Sequence, residues 1–384
     1  MWSSVASIVG SRVGTLPPMV DLLAFPPQPA GVPWPTGGWE EGEAPAEAVD
    51  GGLAEALDAL IGPDAAPELG HTNAVAVVHQ GRIVVERHGE REMGPLAELA
   101  GVVPGPLGPD DPLHSWSMAK SILHLAVGVA QEQGRLDVND RAPVPEWHDD
   151  DDPRAAITWD DLLAMRAGLA WTEVYEGFDP GAVPDVITML YGAGAEDMAA
   201  FAAAFPRAEE PGSPEAYCYS SGTTNIVARA LQQTLGLEGE AMGAWAREAI
   251  FDPIGASTVT FGYDGAGTWV ASSYVDMVVR DWLRLGLLAL RGGTWDGRPV
   301  VSPAWIDHGR TPRSVDETMH HGAHWWARPD RADKMFMAHG FEGQRLLMSP
   351  GRDLVVFRQG KTRAVDIPAL DQRLLALVDL FPRT

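Results

Sequence analysis

The stretch Ser117-Met118-Ala119-Lys120 begins a long helical pattern whose apolar positions run to the stop signal Gly134. Residues three apart share one face of a helix, so the Ser117 hydroxyl and the Lys120 amine are predicted to lie side by side in its first turn. The helix N-terminus favours developing negative charge at Ser117, and apolar neighbours would desolvate Lys120 and lower its pKa. Lys120 is the only one of the three lysines with a serine three residues before it. The stretch therefore predicts a nucleophile beside a base.

The composition is that of a globular protein with one large core or two subdomains. The 384 residues are 45% hydrophobic and 21% charged, which should fold without a metal or disulfides. The formal net charge of −25 argues against nucleic-acid and anionic-membrane partners, because both require a basic surface. The single cysteine, Cys218, excludes an intramolecular disulfide framework. Without a signal-peptide pattern or a bilayer-spanning apolar run, the expected location is cytoplasmic.

The order of helical and extended patterns predicts the architecture. Helical patterns cover residues 53–60, 117–134, 158–168, 184–205, 223–235, 242–250, 275–290 and 368–381. Strand-like runs cover residues 74–78, 82–86, 334–339, 345–349 and 354–358. Strands near both ends of the chain, with a helical block between them, predict an α/β (α+β) fold with one antiparallel sheet flanked by helices.

These patterns also suggest how the chain divides. Residues 1–50 are rich in proline and are expected to lie extended over the body of the protein. Residues 51–140 and 270–384 are expected to form the sheet subdomain, and residues 141–269 a mostly helical subdomain. The active site is expected between these two subdomains.

A serine nucleophile with a lysine neighbour still needs a proton donor and an oxyanion site. Tyr219, in a polar cluster just before a helix, is the candidate proton donor. It could instead be a tyrosine that is simply packed in a strand. If the register differs, Tyr217 is the alternative candidate. In the run His339-Gly340-Phe341-Glu342, the glycine lets a backbone N–H approach a substrate and His339 could bind or polarise it. A tight hairpin with a satisfied histidine is the other interpretation of this run.

Weaker signals point to other sites. His320, His321 and His324 suggest a metal site, but no carboxylate at the usual spacing completes it. The acidic run 149–152 is better interpreted as a solvated loop, and Cys218 as a small buried residue. No Gly-x-Ser-x-Gly elbow is present, which counts against an α/β-hydrolase. No metal or cofactor is expected.

Together these motifs resemble those of the Ser-x-x-Lys serine hydrolases, which include serine β-lactamases, penicillin-binding proteins and related esterases and amidases. Ser117-Met118-Ala119-Lys120 matches the first motif, and Tyr219-Ser220-Ser221 is similar to the Tyr-x-Asn element of the class C branch. His339-Gly340-Phe341 stands in the place of the Lys-Thr-Gly strand. The resemblance extends over about residues 70–380 and implies a β-lactamase/transpeptidase-like fold.

Departures from the family motifs suggest a subfamily. Ser221 stands where many β-lactamases have Asn, and His339 and Phe341 replace the Lys and Gly of the third motif. That Lys ordinarily helps to bind the β-lactam carboxylate, so its loss argues against efficient β-lactamase or transpeptidase activity. Trp171-Thr172-Glu173-Val174-Tyr175 looks most like the 6-aminohexanoate-dimer hydrolases and their carboxylesterase relatives. That likeness implies that Tyr175 contacts a scissile amide.

The expected activity is cofactor-independent hydrolysis of a small-molecule ester or linear amide through an acyl-enzyme on Ser117. Lys120, assisted by Tyr219, would take the serine proton, and which of the two is the main base is left open. Backbone N–H groups of Ser117 and of Phe341 or Glu342 would hold the oxyanion. A β-lactamase or D-Ala-D-Ala peptidase-like activity and a non-catalytic acyl- or peptide-binding protein are the alternatives. A homodimer is left open.

Overall fold

The centre of the protein is an eight-stranded antiparallel sheet. The computed structural model describes residues 21–62, 65–91, 105–147, 149, 151–179, 181–316 and 319–384. The strands are β1 His71–His79, β2 Arg82–His88, β3 Leu113–His114, β4 Thr260–Phe261, β5 Val275–Met277, β6 Thr294–Trp295, β7 Arg298–Pro299, β8 Ser314–Asp316, β9 Met319–His321, β10 Trp326–Ala327, β11 Phe336–Gly340, β12 Gln344–Ser349 and β13 Leu354–Lys361. The strand order of the central sheet is β2-β1-β13-β12-β11-β10-β9-β8.

Helices cover both faces of this sheet. They are α1 Ala46–Asp50, α2 Leu53–Asp58, α3 Ala119–Glu132, α4 Trp159–Leu163, α5 Asp185–Tyr191, α6 Met198–Ala203, α7 Ser221–Leu235, α8 Glu240–Ala246, α9 Asp252–Ile254, α10 Val279–Leu290, α11 Pro303–Arg310 and α12 Ile367–Asp379. No helix in the described ranges is both long enough and apolar enough to cross a bilayer.

The sheet joins the two ends of the chain. Strand β1 is almost wholly buried and pairs with β2 on one side and with β13 on the other. Its β-branched and apolar residues fit a strand covered on both faces. The antiparallel sheet predicted from strands near both ends of the sequence is therefore confirmed, as is the α/β (α+β) class.

Side chains that alternate along the strands divide the core into two layers. On β11, Phe336 and Ala338 belong to the larger cluster, which α3, α7 and α10 also fill. Met337 belongs to the smaller cluster on the opposite face, beneath α2 and α12. Because successive side chains of a strand point to opposite faces, this alternation fixes which residues of β11 face the Ser117 helix.

Two predicted elements differ in the structure, and three short strands of the sheet were not predicted. The helical pattern 184–205 is two helices, because α5 stops at Gly192 and α6 starts afresh at Asp197, whose side chain accepts from the Ala200 N–H. The pattern 275–290 begins as strand β5, which pairs with β3, before α10 starts. Strands β8 to β10 were not predicted, because each has only two or three residues and needs its neighbours to form.

The proline-rich segment after residue 20 is held by arginines of later helices. The guanidinium of Arg284 donates to the Pro35 carbonyl at 2.9 Å, and that of Arg310 donates to the Leu23 carbonyl at 2.6 Å. Prolines lack an N–H, so their neighbourhood offers mainly carbonyl acceptors, which guanidinium donors satisfy. The subdomain boundaries near residues 140 and 270 stay a prediction.

We expect Asp353→Asn to destabilise the fold. The Asp353 carboxylate lies 2.5 Å from Arg291 Nη1, and the two side chains are 6% and 2% exposed. Breaking a buried ion pair leaves an uncompensated charge, so the free energy of unfolding should fall by about 3 kcal/mol. Asn tolerates the left-handed backbone of Asp353, where φ is 47°, so only the charge is tested. Urea denaturation measures the change.

The control for Asp353→Asn is Arg363→Ala. Arg363 is 75% exposed and pairs with Asp366 on the surface, so its loss should cost less than about 1 kcal/mol. Equal stability losses in the two variants would contradict the role given to the buried pair.

Candidate active site

Ser117 lies in a short 3-10 turn, Trp116–Met118, that leads directly into α3. Trp116 has φ of 42°, a left-handed conformation that bulky residues rarely adopt and that is often found at functional sites. The preceding Ser115 is fully buried, and its hydroxyl donates to the Ser273 carbonyl at 2.7 Å. The turn that presents Ser117 is therefore tied to the segment before β5.

Lys120 follows one turn later and is 2% exposed. Its Nζ lies 2.9 Å from the Ser117 Oγ and 2.9 Å from the Ser221 Oγ. A third acceptor, the Ser272 carbonyl, is 3.0 Å away. Three acceptors satisfy all three donors of an ammonium group. As a neutral amine, Lys120 would keep two of these bonds and accept the third from the Ser117 hydroxyl.

The burial of Lys120 makes the neutral form accessible. Desolvation lowers its pKa from 10.5 to about 8, and the nearby Glu173 carboxylate acts in the opposite direction. A lysine with an ordinary pKa would be almost wholly protonated at neutral pH and could not accept a proton. The structure therefore places a buried amine with a lowered pKa beside Ser117, and its role as the base stays a prediction.

Tyr219 lies beside the serine and the lysine. Its ring centroid is 5.0 Å from the Lys120 Nζ. Burial raises the pKa of Tyr219 above its usual value, which keeps the phenol protonated, and the neighbouring Ser117 hydroxyl acts to lower this pKa. These facts favour Tyr219 as an acid and Lys120 as the base. The alternative tyrosine, Tyr217, donates instead to Asp316 at 3.3 Å.

Tyr175 and Ser221 meet beside Lys120, where both contact the carboxylate of Glu173. The motifs in the sequence did not single out Glu173. The Tyr175 hydroxyl donates to Glu173 Oε1 at 2.5 Å and is 3.2 Å from the Ser221 Oγ. The Ser221 hydroxyl donates to the same Oε1 at 2.6 Å. Burial, together with the Glu173 charge, raises the pKa of Tyr175 well above its usual value. Glu173 thus binds both side chains next to the amine.

An aromatic wall stands next to the serine. The Phe341 ring lies 4.8 Å from that of Tyr175 and 5.8 Å from that of Trp116, between centroids. All three residues are partly exposed. A wall of partly exposed aromatic rings suits an apolar portion of a small molecule.

The end of β11 approaches the serine turn closely. A Cβ on Gly340 would lie 2.5 Å from the Ser115 carbonyl oxygen, so only glycine permits this approach. The backbone of the following turn is fixed from behind. Arg358 Nη1 donates to the Glu342 carbonyl at 3.1 Å, and Gln344 Nε2 donates to the Phe341 carbonyl at 2.7 Å.

His339 is not brought into contact with the serine in the part of the chain that the structure describes. Its ring stacks on Trp326 at 5.7 Å, and Trp326 in turn lies 5.5 Å from Tyr219. His339 lines a groove between the sheet and α12. Ala338, not His339, faces the layer that contains α3.

The three histidines considered for a metal site have separate partners. His324 Nδ1 is 3.1 Å from the Lys120 carbonyl, whereas the His321 ring contacts Trp326 at 5.0 Å. His320 is only partly buried, and burial lowers its pKa. Within the described ranges, no group of three His, Cys, Asp or Glu side chains could hold a metal ion.

Two elements of the site escaped the sequence analysis. The Ser272 carbonyl is a backbone group, and every residue type has one, so the sequence could not identify it. Glu173 is different, because it lies between Trp171 and Tyr175 in alternate positions of one short stretch. A carboxylate flanked by two aromatic side chains with polar tips is a signal that could have been used.

The sheet covered by helices, with a serine–lysine pair at the start of a buried helix, defines a β-lactamase/transpeptidase-like protein. Sequence comparison agrees, because residues 66–366 match the family model described as Beta-lactamase. The chain belongs to the Beta-lactamase family. A search of curated proteins gave no match.

Solved structures with this fold include several hydrolases. A putative 6-aminohexanoate-dimer hydrolase from Bacillus anthracis superposes with a TM-score of 0.66 at 18% identity, covering 81% of each chain. A family VIII carboxylesterase gives 0.63 at 18% identity, covering 89% of this chain and 98% of its own. A class C β-lactamase from Rhodobacter sphaeroides gives 0.57 at 16% identity, covering 87% and 99%. At these identities the likeness establishes the fold.

We expect labelling of Ser117 by a fluorophosphonate probe to depend on the ionisation of Lys120. With the pKa of Lys120 near 8, the labelling rate should rise with pH and level off above that value. Below it, the rate should fall roughly tenfold for each pH unit as the amine becomes protonated. Ser117→Ala should take up no label. A labelling rate that is flat between pH 6 and 9 would contradict the assignment of Lys120 as the base.

Proposed function

We propose that the protein is a serine hydrolase that cleaves a carboxylic ester or a linear amide through an acyl-enzyme on Ser117. The observation that carries the proposal is the contact of this hydroxyl with a buried amine. Ser117 Oγ lies 2.9 Å from the Lys120 Nζ, and the Tyr219 ring centroid lies 5.0 Å from the same nitrogen. Membership of the Beta-lactamase family supports it, as does the likeness to a family VIII carboxylesterase and to a putative 6-aminohexanoate-dimer hydrolase.

In the first step, neutral Lys120 takes the Ser117 proton while Oγ bonds to the substrate carbonyl carbon. The resulting ammonium keeps acceptors in the Ser221 hydroxyl and the Ser272 carbonyl. The carbonyl oxygen becomes an oxyanion, which the backbone N–H of Ser117 and one N–H of the turn 341–342 stabilise.

In the second step, the carbon–heteroatom bond breaks and Tyr219 gives its proton to the departing oxygen or nitrogen. Tyr219 regains a proton from the Lys120 ammonium, so the acyl-enzyme forms with both groups in their initial states. Water then attacks the acyl carbon, Lys120 takes the water proton and the Ser117 oxygen leaves protonated. The products are a carboxylic acid and an alcohol or amine.

The surroundings of Ser117 favour plain esters and linear amides over β-lactams. The third motif offers no lysine for a substrate carboxylate, and Arg345 on the next strand is 4% exposed and bound to Asp371. The aromatic wall of Trp116, Tyr175 and Phe341 instead suits an uncharged apolar group. We propose no cofactor for this reaction.

Assembly and location remain proposals. A penicillin-binding protein homologue from Pyrococcus abyssi with this fold is described as octameric, with a TM-score of 0.60 at 16% identity. A homodimer or a larger homo-oligomer of this chain is therefore proposed, and sedimentation velocity would measure it. The cytoplasmic location stays a prediction.

We expect Ser117→Ala to abolish hydrolysis of p-nitrophenyl esters and to prevent acylation. Removing the nucleophile leaves no atom to carry the acyl group, so turnover should fall by a factor of about 10³ or more. Intact-mass spectrometry of the wild type after rapid quenching should show the acyl adduct, which the variant lacks. Undiminished turnover by Ser117→Ala would overturn the proposal.

A substrate panel distinguishes the alternatives to ester and amide hydrolysis. Short-chain esters, aminohexanoate oligomers and a chromogenic cephalosporin should be compared on the same preparation. Preference for the cephalosporin would favour a β-lactamase. A stable adduct on Ser117 without turnover would favour an acyl-binding protein.

We expect Tyr219→Phe to impair poor leaving groups more than good ones. An alkoxide needs the phenol proton to depart, whereas p-nitrophenolate does not, so kcat for an alkyl ester should fall by about 10² to 10⁴. The loss for the p-nitrophenyl ester should be much smaller. Because both substrates are measured on one variant, a general loss of structure affects them alike. Equal losses would contradict Tyr219 as the proton donor.

A further inference from the structure

The Glu173 carboxylate accepts four hydrogen bonds at the edge of the active site. Its Oε1 accepts from the Tyr175 hydroxyl at 2.5 Å and from the Ser221 hydroxyl at 2.6 Å. Its Oε2 accepts from the Trp171 indole N–H at 2.6 Å and from the Ser221 backbone N–H at 3.0 Å. Four donors hold the carboxylate in one orientation, and two of these bonds come from Ser221.

Ser221 connects this carboxylate to the base. Its hydroxyl has one proton, which it donates to Glu173 at 2.6 Å. The lone pairs of the same oxygen are then left to face Lys120, whose Nζ donates to it at 2.9 Å. Without a strong acceptor at Glu173, the hydroxyl could rotate and compete with Ser117 for the amine.

Glu173 also fixes the peptide that carries Tyr219. Ser221 is the first residue of α7, so its backbone N–H is one of the helix donors that lack an intrahelical partner. A carboxylate that accepts from this donor stabilises the positive end of the helix dipole. Tyr219 lies two residues before Ser221, and the Ser220 side chain between them caps the Thr223 N–H. The position of the phenol thus depends on how the start of α7 is held.

We propose that Glu173 is a positioning residue that acts through Ser221 to orient the Lys120 amine and the Tyr219 phenol. The inference rests on the proposed function, because it concerns the same reaction. It assigns to the Glu173–Ser221 pair the place that an asparagine side chain occupies in the related Tyr-x-Asn motif. A carboxylate and a hydroxyl together supply an acceptor for the lysine and a fixed negative charge beside it.

The experiment compares Glu173→Gln with the wild type over a range of pH. The variant keeps the size of the side chain but removes its charge and turns one acceptor into a donor. Turnover at its optimum should fall about 10- to 100-fold, as expected for loss of a hydrogen bond to a charged group. The Glu173 charge raises the pKa of Lys120, so its removal should move the midpoint of the pH profile to lower pH. A carboxylate whose charge does not act on Lys120 would not move this midpoint.

Two further variants separate charge from folding. Glu173→Asp keeps the charge, so its midpoint should stay close to that of the wild type even where turnover is reduced. Ser221→Ala breaks the connection, so it should slow turnover by itself. In the double variant, the fold-reduction in turnover should be much smaller than the product of the reductions in Ser221→Ala and Glu173→Gln. If Glu173→Gln does not fold, the Glu173→Asp and Ser221→Ala results decide, and an unchanged rate in Ser221→Ala overturns the proposal.

The matched control is Glu176→Gln, a change of the same type on the same loop. Glu176 is exposed, and its side chain accepts from the Ala364 backbone N–H at 3.2 Å. Its variant should keep the rate and the midpoint of the wild type. Equal midpoint shifts in Glu176→Gln and Glu173→Gln would show a general electrostatic effect and overturn the specific role of Glu173.

The same profiles are measured by fluorophosphonate labelling of Ser117, which requires no turnover. If the wild type hydrolyses no ester or amide but its labelling still depends on Glu173, the proposed function fails and the positioning role stands. If the wild type turns over substrate and Glu173→Gln keeps both its rate and its midpoint, the positioning role fails and the proposed function stands.

Discussion

The active site depends on the removal of one lysine amine from water. Lys120 is 2% exposed and has three acceptors within 3.0 Å, so it is held in place whether or not it is charged. The cost of burying the charge lowers its pKa to about 8. That single effect makes the neutral amine accessible near neutral pH, as the base role proposed for Lys120 requires.

The groups around Lys120 come from distant parts of the chain. The sheet brings the end of β11 against the turn that carries Ser117, and Gly340 permits this contact because a side chain there would meet the Ser115 carbonyl. Helix α7 brings Tyr219 and Ser221 from the other side. Glu173 accepts two hydrogen bonds from Ser221 at the start of that helix and two from Trp171 and Tyr175 of its own loop. Ser117, Lys120 and Tyr219 are thus held together by packing and by the hydrogen bonds of one partly buried carboxylate.

The surroundings of His339 depend on the pleat of β11, which the residue types of the motif do not reveal. Its place after a run of strand residues suggested a group that faces the substrate. In the pleated strand β11, Ala338 faces the layer that contains α3, whereas the His339 ring stacks on that of Trp326. Which face a strand residue occupies changes with a shift of one position, and neighbouring strands fix that register. Gly340, rather than the histidine ring, contacts the segment that leads to Ser117, at the Ser115 carbonyl.

The sequence by itself determined the local and periodic features of this protein. The spacing of Ser117 and Lys120, the apolar helix that follows them and the strands at both ends of the chain predicted the fold class and the serine–lysine contact, because these depend on short-range geometry. Only the tertiary structure decided that Glu173 contacts Ser221, that the Ser272 carbonyl accepts from Lys120 and that the His339 ring stacks on Trp326. These depend on which distant backbone and side-chain atoms meet, and neither residue type nor period encodes such contacts.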